Sequence, residues 1–207
     1  MRIIQSTLAI LVMVAVSVVG QAPRPGQPQP PQRQRRAPVQ VMTFSSTAWL
    51  DGGSIPKKYT QAGEEISPPF AWLNVPEGVQ SFVLIARDLD AAVGDGTSEV
   101  LHWLLWNIPG GASSLPEGLP ALPQLPDGTR QISQSGPYYR GPGAPALVPG
   151  NAGSGRPHHY VFELYALDTT INVPAVGQSP TATRDAVLQA MAGHVRGKGV
   201  YVGLFHR

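Results

Sequence analysis

Four polar side chains with complementary chemistry interrupt apolar strand patterns in this sequence: Asp88, His102, His158 and Tyr160. Imidazole N–H and phenol O–H groups donate hydrogen bonds to phosphate or another oxyanion, and a carboxylate holds a histidine protonated or accepts from a ligand amine. If their strands meet at one end of a sheet, the four groups form a small anion pocket. The alternative is that each polar residue simply ends its strand at the solvent boundary.

Strand alternation supports the pocket, because side chains two residues apart share a face of a sheet. This rule places each polar residue beside apolar ones, and it sends His159 to the opposite face from His158. The three predicted faces are Phe82, Leu84, Ala86 and Asp88; His102, Leu104, Trp106 and Ile108; and His158, Tyr160, Phe162, Leu164 and Ala166.

Catalysis and metal binding are competing interpretations of the same residues. Asp88 and His102 would orient a serine nucleophile such as Ser98 or Ser135 in a triad, but no Gly-x-Ser-x-Gly turn is present. Asp88, His102 and His158 are acceptable zinc ligands, yet no His-Glu-x-x-His spacing supports a site. We therefore predict a binding protein rather than an enzyme, with no metal and no cofactor.

The elements that must position these groups are short apolar runs separated by turn residues. Such spacing predicts a mainly-β fold, an antiparallel β-sandwich. Residues 110–155, rich in Gly, Pro and Ser, are expected to border the site. The predicted strands are 41–44, 70–73, 82–87, 100–108, 160–167 and 199–205.

One short C-terminal helix is predicted to pack against the sandwich. Thr183 is its expected N-cap, and Val187, Leu188 and Met191 form its apolar face before Gly193. The helix completes a fold that is otherwise built from strands.

The N-terminus is typical of an exported protein. Residues 1–20 combine Arg2 with an apolar run and small residues before Gln21, as in a secretory signal peptide. A retained membrane anchor is the alternative, because the apolar run is near the short limit for a span. Residues 21–40, rich in Pro, Gln and Arg, predict a disordered linker before a domain at 41–207. We therefore expect a secreted or periplasmic protein with at most peripheral membrane contact.

The charge distribution and the lack of cysteine exclude several kinds of partner and modification. The chain has 15 Lys and Arg against 13 Asp and Glu, but residues 1–40 hold five arginines and no acid, so the domain is mildly acidic. A nucleic-acid partner is not expected, because that would require a basic surface on the domain itself. The absence of cysteine rules out disulfides and a thiol-linked lipid anchor within this sequence.

Several motifs resemble the phosphatidylethanolamine-binding protein family, particularly its bacterial Raf-kinase-inhibitor-like branch. The resemblance covers about Phe44 to His206. It is carried by the segment "STAWLDGGSIPKKYTQAGEEISPPFAWLNVPEG", by "HWLLWNIP" at 102–109, by the Asp88-Leu89-Asp90-Ala91-Ala92 segment, by Gly141-Pro142, by His158-His159-Tyr160, and by "LQAMAGHV" and "YVGLFHR".

That resemblance implies a β-sandwich with a pocket for phosphate or a phosphoethanolamine head group. The residues it assigns to the pocket are Asp88, His102, Gly141, Pro142, His158 and Tyr160. The branch name implies kinase inhibition. That function is not expected here, because a signal peptide would export the domain away from cytosolic kinases. Inhibition of an exported hydrolase or peptidase through the protein surface is the alternative function.

This sequence departs from the family pattern in three places. Leu89 and Ala92 replace both prolines of the aspartate motif, His159 replaces an arginine, and residues 144–155 lengthen a loop. Because proline restricts the backbone, the loop carrying Asp88 is predicted to be more mobile than in other members. Weaker anion binding than in a member with both prolines is the expected consequence.

Overall fold

A computed structural model describes residues 38–93, 98–143 and 155–206. The predicted signal peptide, and the predicted linker up to residue 37, lie outside these residues. Gln40, the last residue assigned to the linker, forms part of the first strand, where it pairs with Gly197.

Ten strands and one α-helix make up the described fold. Five of the six predicted strands are present, whereas the predicted strand 41–44 is divided at Met42 between two short strands of different sheets. One turn of 3₁₀ helix spans Lys57–Tyr59. The strands are β1 (Gln40–Val41), β2 (Thr43–Ser45), β3 (Gly53–Ser54), β4 (Phe70–Leu73), β5 (Ser81–Val93), β6 (Ser98–Pro109), β7 (Ser114–Leu115), β8 (Arg130–Ile132), β9 (His158–Leu167) and β10 (Val195–Phe205).

The strands form two sheets, which confirms the predicted sandwich. The larger sheet has the order β1-β10-β9-β5-β6-β8, with β3 also paired to β10, and the smaller has the order β2-β4-β7. Pairing is antiparallel except that β1 and β3 each run parallel to β10. The long central strands β5, β6 and β9 therefore lie side by side, and these strands carry the four polar residues.

The main core lies between the two sheets and is rich in aromatic side chains. Phe44 and Phe70 from the small sheet pack on Phe162 and Tyr201 from the large one. Trp103 is fully buried in this core. Large buried rings contribute most to the hydrophobic stabilisation of such a sandwich.

The helix α1, Pro180–Met191, covers a second apolar cluster on the other face of the large sheet. The expected N-cap was wrong: the Oγ of Ser179 accepts from the N–H of Ala182, and Thr183 is buried inside the helix. Pro180 at the first helical position suits this start, because its fixed φ is helical and a first-turn N–H needs no partner. Val187 and Met191 are buried as predicted, whereas Leu188 is exposed.

Two irregularities in β6 break the regular alternation on which its predicted face depended. Ala86 pairs with Trp103 but Arg87 pairs with Leu101, so His102 is an extra residue with no partner on β5. A second shift lies between Leu105 and Ile108, where Asn107 has a positive φ of 56°. Such β-bulges redirect the side chains that follow them.

The predicted β6 face is therefore wrong. Leu104 and Trp106 belong to the cluster beneath α1, and Ile108 belongs to the core between the sheets. His102 instead packs against Tyr160, a residue of the core between the sheets.

Within the described residues, no helix is both long and apolar enough to cross a bilayer.

Candidate functional site

Asp88 and His158 form a buried pair where β5 and β9 run side by side. Asp88 is aligned with Tyr160 in the antiparallel register, which brings its side chain to that of His158 two residues away. Oδ2 of Asp88 lies 2.8 Å from Nδ1 of His158. The Asp88 side chain is 4 % exposed, so the bond is formed away from bulk water. With the carboxylate ionised, Nδ1 donates this bond, and Nε2 is the ring nitrogen that remains for a ligand.

The other oxygen of Asp88 binds the backbone that follows it, at the irregular end of β5. Oδ1 accepts hydrogen bonds from the backbone N–H groups of Asp90 and Ala91, at 2.9 and 3.1 Å. An aspartate that accepts from the backbone two and three residues ahead constrains the local chain. Side-chain hydrogen bonds therefore constrain this loop where the family has prolines.

His102 is fixed by the loop that carries the Gly-Pro motif. Its Nδ1 lies 2.7 Å from the backbone oxygen of Arg140, and its own backbone oxygen accepts from the N–H of Arg140 at 2.9 Å. A carbonyl oxygen only accepts, so Nδ1 of His102 carries the proton. Nε2 is again the ring nitrogen available to a ligand.

Tyr160 lies between the two imidazoles and is almost fully buried. Its ring packs edge-on against His102, with centroids 5.1 Å apart, and stacks on His158 at 6.5 Å. The phenol thereby sets the spacing of the two histidines.

These side chains line one cavity of about 170 Å³. Asp88, His102, His158 and Tyr160 were predicted from the sequence as site residues. The sequence did not identify the remaining lining residues, which come from β5, β6 and loops: Gln61, Ala91, Val100, Gln134 and Gly143. Gln134 and Gly143 fall in the segment that was expected to border the site.

Gly141 and Pro142 are buried behind the cavity lining, next to Gly143. Their backbone oxygens accept hydrogen bonds from the side chain and the backbone N–H of Gln61, at 2.8 and 3.0 Å. A Cβ at position 141 would lie 2.6 Å from the backbone oxygen of Tyr59. The Gly-Pro segment thus supports the wall through close backbone packing.

The guanidinium of Arg140 is held by two neighbouring side chains. It forms an ion pair with Glu65 at 2.9 Å and donates to Oε1 of Gln61 at 2.8 Å. Gln61 therefore connects the arginine to the Gly-Pro backbone. Gln61 lies in the motif segment 46–78, but the sequence did not mark it as a site residue, because its partners are some 80 residues away.

Burial lowers the pKa of His102 below its ordinary value of 6.5. The hydrogen bond to the Arg140 carbonyl and the charge of Asp88 oppose this effect without cancelling it. The neutral ring, with a lone pair on Nε2, is consequently favoured near neutral pH.

A second aspartate–histidine pair lies on the opposite face, where His159 was predicted to point. Oδ2 of Asp90 is 2.8 Å from Nδ1 of His159 and also accepts the His159 backbone N–H at 2.6 Å. Both side chains are largely exposed. This pair provides an internal comparison for the buried one.

The arrangement does not fit a triad built on Asp88 and His102. Asp88 pairs with His158, and the protonated nitrogen of His102 is occupied by a main-chain carbonyl. A triad requires one imidazole that receives the carboxylate on one nitrogen and the nucleophile on the other. Among the described residues, no cluster of three or more His, Cys, Asp or Glu side chains is arranged to hold a metal ion.

The protein is thus a β-sandwich with a small histidine-lined cavity at the end of its central strands. A family model described as phosphatidylethanolamine-binding protein matches residues 45–206. The chain therefore belongs to the phosphatidylethanolamine-binding protein family, which confirms the resemblance seen in its motifs.

Individual relatives agree with this assignment. A UPF0098 protein from Methanothermobacter thermautotrophicus is 40% identical over 168 residues, covering 80% of this chain and 99% of the relative. A putative lipoprotein, LppC, from Mycobacterium tuberculosis is 30% identical over 167 residues, covering 80% and 74%. The crystal structure of a putative phosphatidylethanolamine-binding protein homolog, CT736, from Chlamydia trachomatis superposes with a TM-score of 0.65 at 28% identity, covering 82% of this chain and 99% of that one.

Proposed function

We propose that this protein binds a small phosphate-like anion, free or as part of a phospholipid head group, and that it acts by binding rather than by catalysis. Asp88, His102, His158 and Tyr160 contact the ligand, while Gly141 and Pro142 support the wall. The observation that carries the proposal is that two imidazoles, each anchored through Nδ1, line the same small cavity. Membership of the family supports the same ligand class.

The anchoring of both rings favours ligand binding over a merely structural role. A histidine at a solvent boundary requires no fixed orientation, whereas each of these rings has its Nδ1 committed to a buried partner. Prior orientation of the binding groups reduces the entropy lost when a ligand binds. The cavity volume suits a single small group rather than a whole lipid.

The test is a titration of the protein with phosphate and then phosphoethanolamine, following histidine ring signals by NMR. We expect saturable shifts of His102 and His158 and none of His159. Asp88→Ala should weaken binding about tenfold or more, because it removes the partner that orients His158. Asp90→Ala is the matched control on the exposed pair and should leave binding unchanged. Binding would be disproved if neither His102 nor His158 responded to either ligand.

We also propose that the protein works outside the cytoplasm. The signal-like residues 1–20 support this location, and one relative is named as a putative lipoprotein. This sequence has no cysteine to carry a thiol-linked lipid, so export would proceed without that modification. Cell fractionation that recovered the protein with cytoplasmic markers would exclude export.

A further inference from the structure

Among the described residues, the cavity lining has no fixed positive charge of the kind that usually binds a phosphate. None of the described residues that line it is a lysine or an arginine, whereas Asp88 contributes a buried carboxylate. Arg140 is the nearby cation, and its guanidinium is already held by Glu65 and Gln61. An anion entering this cavity must therefore be bound mainly by hydrogen bonds.

The contact between His102 and the backbone oxygen of Arg140 determines which hydrogen bonds the His102 ring can offer to a ligand. Because the carbonyl of Arg140 only accepts, the neutral ring has its proton on Nδ1 and a lone pair on Nε2. His102 is 4 % exposed, and the backbone of Gly141 also acts on its ring beside that of Arg140. Neutral His102 thus offers a ligand an acceptor and no donor.

Burial favours the neutral ring of His102, whereas the Asp88 charge and the backbone oxygens of Arg140 and Gly141 oppose this effect without cancelling it. Asp88 approaches from β5, His158 and Tyr160 from β9, and the backbone of Arg140 from its loop. The Asp88 oxygens already accept from Asp90, Ala91 and His158. His158 accepts through Nε2 when neutral and donates through Nε2 when protonated.

We propose that this cavity selects oxyanions that carry their own proton, so that a P–OH group donates to Nε2 of His102. Hydrogen phosphate meets this requirement, because it offers one donor beside several acceptor oxygens. Sulfate and phosphodiesters offer only acceptor oxygens. One of these oxygens would face the lone pair on Nε2 of His102, and two acceptors cannot form a hydrogen bond. This selectivity rests on the proposed function, and it specifies which phosphate chemistry that site takes.

Free phosphate and head groups differ in this property. Hydrogen phosphate retains its P–OH throughout the neutral range. A phosphomonoester such as phosphoethanolamine loses its last proton near pH 6, by analogy with phosphoserine, and the diester of an intact phospholipid has none to lose. Free phosphate is consequently the preferred ligand above neutrality, and monoesters gain affinity as the pH falls.

The experiment compares dissociation constants for phosphate, phosphoethanolamine, dimethyl phosphate and sulfate by calorimetry, at about pH 8 and about pH 5.5. At the higher pH, phosphate should bind at least about tenfold more tightly than sulfate or dimethyl phosphate, because an unmet buried acceptor costs about that factor. Sulfate should gain affinity once the pH falls below the lowered pKa of His102, because protonation then converts the acceptor into a donor.

The variant His102→Asn separates the acceptor role of Nε2 from the role of His102 in holding the backbone of Arg140. The asparagine amide can replace the Nδ1–H donor to Arg140 while removing Nε2, so the preference for phosphate over sulfate should fall to about twofold or less. His159→Asn, on the exposed face, is the control and should retain the full preference.

The selectivity is overturned if sulfate binds as tightly as phosphate at about pH 8, or if the preference survives in His102→Asn. Failure of all four oxyanions to bind at either pH would instead overturn the proposed function itself, and with it this inference. The two failures are therefore distinguishable.

Discussion

His102 and Arg140 exchange two hydrogen bonds: the N–H of Arg140 donates to the backbone oxygen of His102 at 2.9 Å, and Nδ1–H of His102 donates to the backbone oxygen of Arg140 at 2.7 Å. This reciprocal pair attaches the Gly-Pro loop to the bulge in β6. One side chain therefore both lines the cavity and holds its wall in place.

Removing the Nδ1 donor should loosen the loop. In His102→Leu the buried carbonyl of Arg140 loses its partner, and we expect a stability loss of about 1–3 kcal/mol. Backbone amide exchange over residues 139–143 should accelerate in His102→Leu and change much less in His102→Asn. Equal exchange rates in the two variants would show that the hydrogen bond does not hold the loop.

Asp88→Asn should reverse the tautomer of His158. The asparagine oxygen can still accept from Asp90 and Ala91, but its NH₂ group then faces Nδ1 of His158, which must become an acceptor. Long-range ¹H–¹⁵N spectra should report the neutral ring proton on Nε2 instead of Nδ1. Asp90→Asn is the control, and it should alter His159 alone. A proton retained on Nδ1 of His158 would contradict this prediction.

The depressed pKa of His102 should appear in the pH dependence of stability. Below pH 6.5 the unfolded chain takes up a proton at this residue before the folded protein does. The contribution of His102 to the free energy of unfolding is therefore constant above pH 6.5. It falls as the pH drops toward the lowered pKa of the folded state. Urea denaturation across this range should show a shallower decline in His102→Asn than in the wild type. Parallel curves for the two proteins would be the contrary result.

Glu163 should contribute stability through its charge on the face away from the cavity. Lys198 lies 2.5 Å from it and Arg87 pairs with it. Burial raises the pKa of Glu163, but the hydrogen bond from Lys198 and the charge of Arg87 outweigh this and lower it overall.

Glu163→Gln should therefore cost about 1–3 kcal/mol near neutral pH. Because the pKa of Glu163 is lowered, its contribution to stability is fully present above pH 4.5. The contribution is lost as the pH falls through the pKa of the folded state. The difference between the two proteins should accordingly shrink in acid. Glu117→Gln, which removes an exposed pair with Lys58, should have a much smaller effect. A comparable loss in both variants would argue against this account.

Gly141→Ala should destabilise the protein by about 1–3 kcal/mol, the usual cost of overpacking. The added Cβ would lie 2.6 Å from the oxygen of Tyr59 and 2.9 Å from Cα of Thr60. Gly111→Ala, where a Cβ meets nothing within 4 Å, should leave the midpoint of thermal unfolding nearly unchanged. A tolerated alanine at 141 would mean that the loop can move away from Tyr59.

The sequence by itself determined the fold class, the family and the four polar residues at the cavity. Apolar alternation located β5 and β9 well, because both strands are regular up to the site, so Asp88 and Tyr160 fall on the predicted faces. The weaker anion binding expected from the loss of both motif prolines stays a prediction, to be measured beside a member that retains them.

Only the tertiary structure decided which groups pair. Asp88 binds His158 across 70 positions of sequence, and His102 reaches the cavity through a β-bulge that breaks the alternation of β6. Gln61 joins the site through partners some 80 residues away. Alternation describes a regular strand one residue at a time, whereas strand register, bulges and long-range hydrogen bonds depend on how distant segments pack together.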